Sequence, residues 1–183
     1  MSNTYTVITT LLAAVIGGAV ALVVVFLTNR SNTARLRIQF EHEHSEKNKE
    51  LRRQRGEELY ELSDKWLNRL AAYYLQRISV MQGKLTFNEC LDLEIAAGKE
   101  NAVNFGRIEM LVDVYFSSTR RAYDDLISAR SKLNEIAIAH KRAYQRGEIY
   151  CTAFLSSFVE AQKMVENAGG QFRADIINCI RAL

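Results

Sequence analysis

Between Tyr5 and Leu27 the chain runs for 23 residues, YTVITTLLAAVIGGAVALVVVFL, without one charged side chain. Its only polar side chains are Tyr5 and three threonines. At 1.5 Å per residue such a helix reaches roughly 34 Å, enough for a hydrocarbon core of about 30 Å. In lipid every backbone group must be bonded within the segment, and a helix does that. The run therefore predicts one transmembrane helix over residues 5–28, preceded by an extracytoplasmic N-terminus of residues 1–4. The competing reading is a secretory signal peptide, for which Ala19-Val20-Ala21 offers a cleavage triplet. A signal peptide has a basic n-region and a shorter apolar core. Here Met1–Thr4 carries no Lys or Arg, so an anchor is expected.

The flanks set the orientation. No basic side chain precedes the run, and Arg30, Arg35 and Arg37 follow it. Cytoplasmic flanks carry the excess of Lys and Arg, so the body is expected in the cytoplasm, behind a plasma (inner) membrane. Those three arginines would then meet lipid headgroups. Within the run, Ala13, Gly17 and Ala21 fall four apart on one helical face, with Ala14 and Gly18 beside them. Small residues at that spacing let two membrane helices approach closely, which makes this the candidate packing face of a homo-oligomer. Gly and Ala are also common in membrane helices that pair with nothing.

Residues 29–57 read as a polar helical stalk. From Glu41 to Glu57 the only apolar side chain is Leu51, so no face can be buried and solvation must hold the helix. Glu43–Lys47 and Glu50–Arg53 have the spacing of helical ion pairs, each worth a few tenths of a kcal/mol. Leu36 and Phe40 sit where a headgroup region would be. His42 and His44 are two apart and point to different faces, which does not suit a metal. The one Glu-x-x-His, Glu41 with His44, has no second copy, so no metal site is expected.

The remainder, residues 58–183, contains no proline, as does the whole chain. Proline interrupts helices, and its absence suits long uninterrupted ones. Four amphipathic helical segments are predicted. The first runs from about Glu57 to Gln82 with Leu59, Leu62, Trp66, Leu70, Tyr73 and Tyr74 on its stripe, and Gly83 ends it. The second starts at the capping-box pattern Thr86-Phe87-Asn88-Glu89. Phe87, Leu91, Ile95, Ala102, Phe105, Ile108, Val112 and Tyr115 mark its stripe, and it is either continuous to Phe116 or broken near residues 98–101. The third begins near Ser117–Thr119, carries Tyr123, Leu126, Leu133, Ile136 and Ala137, and closes at Gly147. The fourth, from Glu148 to Leu183, keeps phase through Phe154, Phe158, Ala161, Val165, Ala168, Phe172, Ile176 and Ile180. It passes straight through Gly169-Gly170, a pair that costs roughly 2 kcal/mol in a helix interior. Short links between long helices predict an antiparallel bundle. The fold class is thus all-α: anchor, stalk and a cytoplasmic bundle of about four long helices.

Function is expected as a class. No phosphate-binding loop, dinucleotide fingerprint, nucleophile elbow or zincin motif occurs, and no cofactor or small-molecule substrate is implied. Cys90, Cys151 and Cys179 form no C-x-x-C pair, which argues against zinc and a disulfide framework. Net charges of +3, −3 and +3 over residues 30–57, 58–118 and 119–183 leave no segment basic enough to demand nucleic acid. Arg120, Arg121, Lys132, Lys141, Arg142 and Arg146 are the candidate docking face for an acidic protein partner. Against that stands a solvated face balanced by Asp124, Asp125 and Glu135. His140 lies on the core stripe, where a hydrogen-bonded packing role is expected over proton handling. The leading expectation is a membrane-tethered interaction or scaffold protein, not an enzyme. A membrane-perturbing effector or small oligomeric channel and an enzyme with a site hidden in the bundle are the alternatives.

Overall fold

The computed structural model describes residues 2–100, 103–148 and 152–183, and within them no side chain before Gly17. Ala13, Ala21, Ala102 and Cys151 therefore lie outside what is described, as do the side chains of residues 98–100. Among the described residues there is no strand. The elements are α1 (Ser2–Met81), α2 (Phe87–Glu100), α3 (Phe105–Tyr115), a 3-10 turn (Ser117–Thr119), α4 (Arg120–Gln145), a second 3-10 turn (Thr152–Phe154) and α5 (Leu155–Arg181). The all-α class is therefore observed.

The chain forms two compact units, residues 1–49 and 50–183. In the first, α1 carries exposed side chains at every described position from Gly17 to Lys49. Of the two ion pairs expected in the stalk, Glu43–Lys47 falls in this unit, and it is not among the pairs formed by the described residues. Arg37 binds Glu41 at 3.0 Å and Lys49 binds Glu46 at 3.1 Å, while Asn48 bonds the His44 ring at 3.0 Å. Among the described residues no helix is long and apolar enough to cross a membrane. The spanning helix expected over residues 5–28 is thus not supported by these residues, and most of its side chains fall outside them.

The second unit begins at Glu50, inside the segment that reads as stalk. Its packing shows why. Gly56 is buried, and a Cβ there would lie 2.5 Å from Ile180 Cγ1 and 3.1 Å from Phe116 Cζ. Only a glycine lets α1 come this close. Arg53 takes Glu57 at 3.1 Å, and Arg52 donates to the Tyr115 carbonyl. A run with one apolar side chain can still enter a bundle when a glycine and long charged stems line its face.

Contacts fix the topology. Along α1, Gly56 meets Ile180, Asp64 bonds Arg173 at 2.7 Å, Leu67 lies under Gly169, and Tyr74 packs on Phe158. The partners descend as α1 ascends, so α1 and α5 are antiparallel. Arg52, Glu58 and Trp66 likewise meet Tyr115, Arg107 and Phe105, so α3 is antiparallel to α1. Trp66 meets Tyr123 and Arg77 acts on His140, while Tyr123 meets Phe172 and His140 meets Phe154, so α4 runs with α1 and against α5. This is the antiparallel bundle the short links predict. Its core holds Leu59, Trp66, Tyr74, Ile108, Leu111, Leu126, Leu133, Phe158, Phe172 and Ile176, each 2% exposed or less.

The punctuation also has physical causes. Gly83 and Gly147 adopt φ of 69° and 90°, the left-handed geometry that ends α1 and α4. Thr86 and Glu89 close their capping box: the Glu89 amide donates to Thr86 Oγ1 at 3.2 Å and the Thr86 amide to Glu89 Oε2 at 2.7 Å. The second predicted helix is broken. α2 ends at Glu100 and Asn104 starts α3, its side chain accepting from the Arg107 amide at 3.0 Å. The break resets the phase, and α2 is rotated from the stripe expected of it. Leu91 and Ile95 are 43% and 51% exposed, while Cys90 is buried and Glu94 half-buried. α5 passes unbroken through Gly169-Gly170 but starts at Leu155, not Glu148.

Candidate functional site

The basic residues of α4 do not converge. Arg121, Lys132, Lys141, Arg142 and Arg146 are exposed, and Arg120 is half-buried. Arg120 is engaged within the chain, at 2.6 Å from Asp113 and 3.0 Å from Asp124. Arg146 binds Glu148 at 3.0 Å, and the Lys141 ammonium lies 5.9 Å from the Phe87 ring centre. Carboxylates of α3, α4 and the α4–α5 link thus neutralise part of this face. Arg30, Arg35 and Arg37 are exposed, as is Gly17, with nothing within 4 Å of a Cβ built on it.

What the bundle does bring together is a cluster the stripes did not mark as a site. Arg77, at the end of α1, is 8% exposed. Its Nη2 lies 2.8 Å from Glu94 Oε1 and 3.0 Å from Oε2. The guanidinium is 5.0 Å from the Tyr73 ring centre and 4.7 Å from that of Phe87, so it sits among π faces that favour a cation. Cys90 Sγ donates to Glu94 Oε1 at 3.3 Å. Burial, with the Glu94 carboxylate beside it, pushes the Cys90 thiol up to about 11. Such a thiol stays protonated near neutral pH, which is the opposite of an activated nucleophile. Tyr73 is also raised, chiefly by burial.

His140 faces the same end of the bundle. It is 0% exposed, its ring lies 5.8 Å from that of Phe154, and neither ring nitrogen has a partner among the described residues. The packing place expected of it is observed; the hydrogen bond is not. Burial first, and then the nearby Arg77 charge, lower its pKa. Glu94 is already bonded to Arg77 and Cys90, which leaves a locked polar clip between α1 and α2. Its sequence signal is visible in retrospect: Arg77 follows Trp66, Leu70 and Tyr73 at core spacing.

A separate open groove of about 390 Å³ is lined by Glu57, Tyr60, Glu61, Ile177, Ile180 and Arg181. It combines an isoleucine floor with carboxylates on α1 and one arginine on α5. Among the described residues no group of His, Cys, Asp and Glu has the arrangement of a metal site. Comparison with family models, with curated proteins and with solved structures found no match to this chain.

Proposed function

We propose that the chain is a membrane-tethered interaction protein: residues 5–28 lie in a bilayer, and the bundle recruits a protein partner on the arginine-bearing side. The observation that carries this reading is the surface of α1. Leu22, Val24, Val25, Phe26 and Leu27 are 55–73% exposed and point around the whole helix, in a run with no charge before Arg30. Exposing each such side chain to water forgoes about 1.5–3 kcal/mol. A helix that is apolar all round needs a protein core or lipid on every side. A bilayer supplies lipid on every side, and the headgroups meet Arg30, Arg35 and Arg37.

The interaction role is supported by the state of the buried chemistry. Glu94 is committed to Arg77 and Cys90, and the Cys90 thiol is held protonated. A general base or nucleophile needs a free lone pair and a pKa near the working pH. Surfaces of the bundle remain open instead: the Glu57–Arg181 groove, and Leu91, Leu93 and Ile95 on α2.

Expression of the full chain, followed by ultracentrifugation and cross-linking in the native membrane, tests this. The expected result is an uncleaved protein in the pellet, released by detergent and not by alkaline carbonate. Cross-linking should give an adduct of constant mass. Uncleaved protein in a detergent-free supernatant would sink the anchor. Pelleted protein that cross-links to nothing would sink the recruiting role alone.

A further inference from the structure

The open groove of about 390 Å³ lies where one turn of α1 faces one turn of α5. Glu57, Tyr60 and Glu61 form one wall, and Ile177, Ile180 and Arg181 form the other. Each wall is an i, i+3, i+4 set, so its three side chains share a helical face. The register is fixed by Gly56, where a Cβ would lie 2.5 Å from Ile180 Cγ1, and by the 2.7 Å bond of Asp64 to Arg173. With the two helices antiparallel, Glu61 stands at the Ile177 end of the groove and Glu57 at the Arg181 end.

The two ends differ in charge. Arg53 holds Glu57 at 3.1 Å, and Arg181 stands at that same end, which therefore carries a surplus cation. At the other end Glu61 is a surplus carboxylate. Neither Glu61 nor Arg181 makes an ion pair among the described residues. Between them the lining is apolar. Tyr60 and Ile180 rest on the core, and Ile177 is half-buried.

Resting on the recruiting role proposed above, we propose that this groove takes a short segment of a protein partner: a Lys or Arg against Glu61, aliphatic side chains on Ile177 and Ile180, and a carboxylate against Arg181. Charge complementarity fixes the direction, because the reversed segment would set like charges together. The groove is open, which suits a chain lying along it and not a small molecule, whose surface a site must largely enclose. The charges of Arg53, Glu57, Glu61 and Arg181 cancel, so the groove has no pull on nucleic acid or on anionic lipid. Symmetry disfavours a second copy. Two copies entering one bilayer from the same side are related by an axis along its normal, which sets Glu61 level with its own counterpart.

Random dodecapeptides displayed on phage are selected on the full chain in detergent micelles, with empty micelles as counter-selection. Enriched peptides should carry a base and an acid on opposite sides of aliphatic residues. Fluorescence anisotropy of a labelled enriched peptide then measures affinity. Glu61→Lys and Ile177→Ser should each weaken it by more than about tenfold. Glu135→Lys, the same change of charge on the exposed face of α4, should bind as the unaltered chain does. Glu61 and Arg181 are exposed, so exchanging their charges leaves the core untouched. The double variant Glu61→Lys, Arg181→Glu should regain binding to a peptide whose base and acid are exchanged. The proposal is overturned if no peptide is enriched over micelles, if enriched peptides lack the two charges, or if Glu61→Lys binds as tightly as Glu135→Lys. A chain-to-chain cross-link that Ile177→Ser abolishes would give the groove to a second copy and overturn it too. An adduct in the native membrane that persists in Glu61→Lys would leave the recruiting role standing and remove the groove from it.

Discussion

Gly169 of α5 lies so close to Leu67 of α1 that a Cβ built on it would be 2.6 Å from Leu67 Cδ2 and 3.0 Å from Cδ1. Gly170, the next residue, has nothing within 4 Å of the same construction. The two glycines thus persist for different reasons, and only the first serves packing. Gly169→Ala should lower stability by about 1 kcal/mol, because overpacking of about 1–3 kcal/mol exceeds the gain in helix propensity. Gly170→Ala should raise stability by about 0.5–1 kcal/mol from that propensity alone. Urea unfolding of the full chain in detergent measures both. Equal effects of the two substitutions would show that the close approach carries no cost.

Asn104 makes the second helical segment two helices. Its side chain accepts from the Arg107 amide at 3.0 Å, satisfying a donor that a continuous helix would have bonded to a carbonyl. Asn104→Ala should destabilise by about 1 kcal/mol, while Asn104→Asp or Asn104→Ser should be tolerated. Thermal unfolding ranks the three variants. An alanine as stable as the serine would mean that the cap does not hold the start of α3.

Glu58 ties α1 to α3. It lies 2.6 Å from Arg107 Nε and 2.9 Å from Arg55 Nη1, and the Arg107 bond holds its carboxyl down at about 2. A folded-state pKa below the ordinary 4.5 means that the unfolded chain binds the proton more tightly. This stabilisation is therefore complete above about pH 4.5 and is lost as the pH falls towards 2. Solvent screens a side chain that is 31% exposed, so Glu58→Gln should cost only about 1–2 kcal/mol at neutral pH. The acid limb of its stability curve should also be shallower between pH 4.5 and 2. An unaltered acid limb would assign that loss to other carboxylates.

Trp66, Phe158, Phe172 and Ile176 could be read from the sequence because burial at a period of 3.6 is a local pattern. Gly83, Gly147 and the Thr86–Glu89 box were legible for the same reason: each cap acts within a few residues. The rotation of α2 was not. Leu91 and Ile95 are its largest aliphatic residues at core spacing, yet Cys90 and Glu94 face inward because Arg77 of α1 claims Glu94. That choice depends on another helix and leaves no period in α2. The start of the bundle unit at Glu50 was hidden too, because Gly56, which reads as a weak point in a helix, acts as a contact.

His140 gives the clearest pH dependence expected of the bundle. Its ring is fully buried on α4, with Phe154 against it, no partner on either nitrogen among the described residues, and the Arg77 guanidinium near enough to act on it. Glu94 is bonded to Arg77 and Cys90. Both burial and Arg77 disfavour the charged ring, so the folded pKa lies below the ordinary 6.5. The unfolded chain then takes up a proton that the folded one resists. Stability should be complete above about pH 6.5 and fall as the pH drops through the lowered pKa, well before the Glu58 window opens. His140→Leu removes the titrating group and both unpartnered nitrogens at little change in shape. It should match or exceed the stability of the unaltered chain at pH 7.5, since removing an unbonded polar group is neutral or favourable. Its Tm should also be flatter between pH 7.5 and 5. If the unaltered chain and His140→Leu lose Tm in parallel over that range, the buried imidazole is not the group that senses acid.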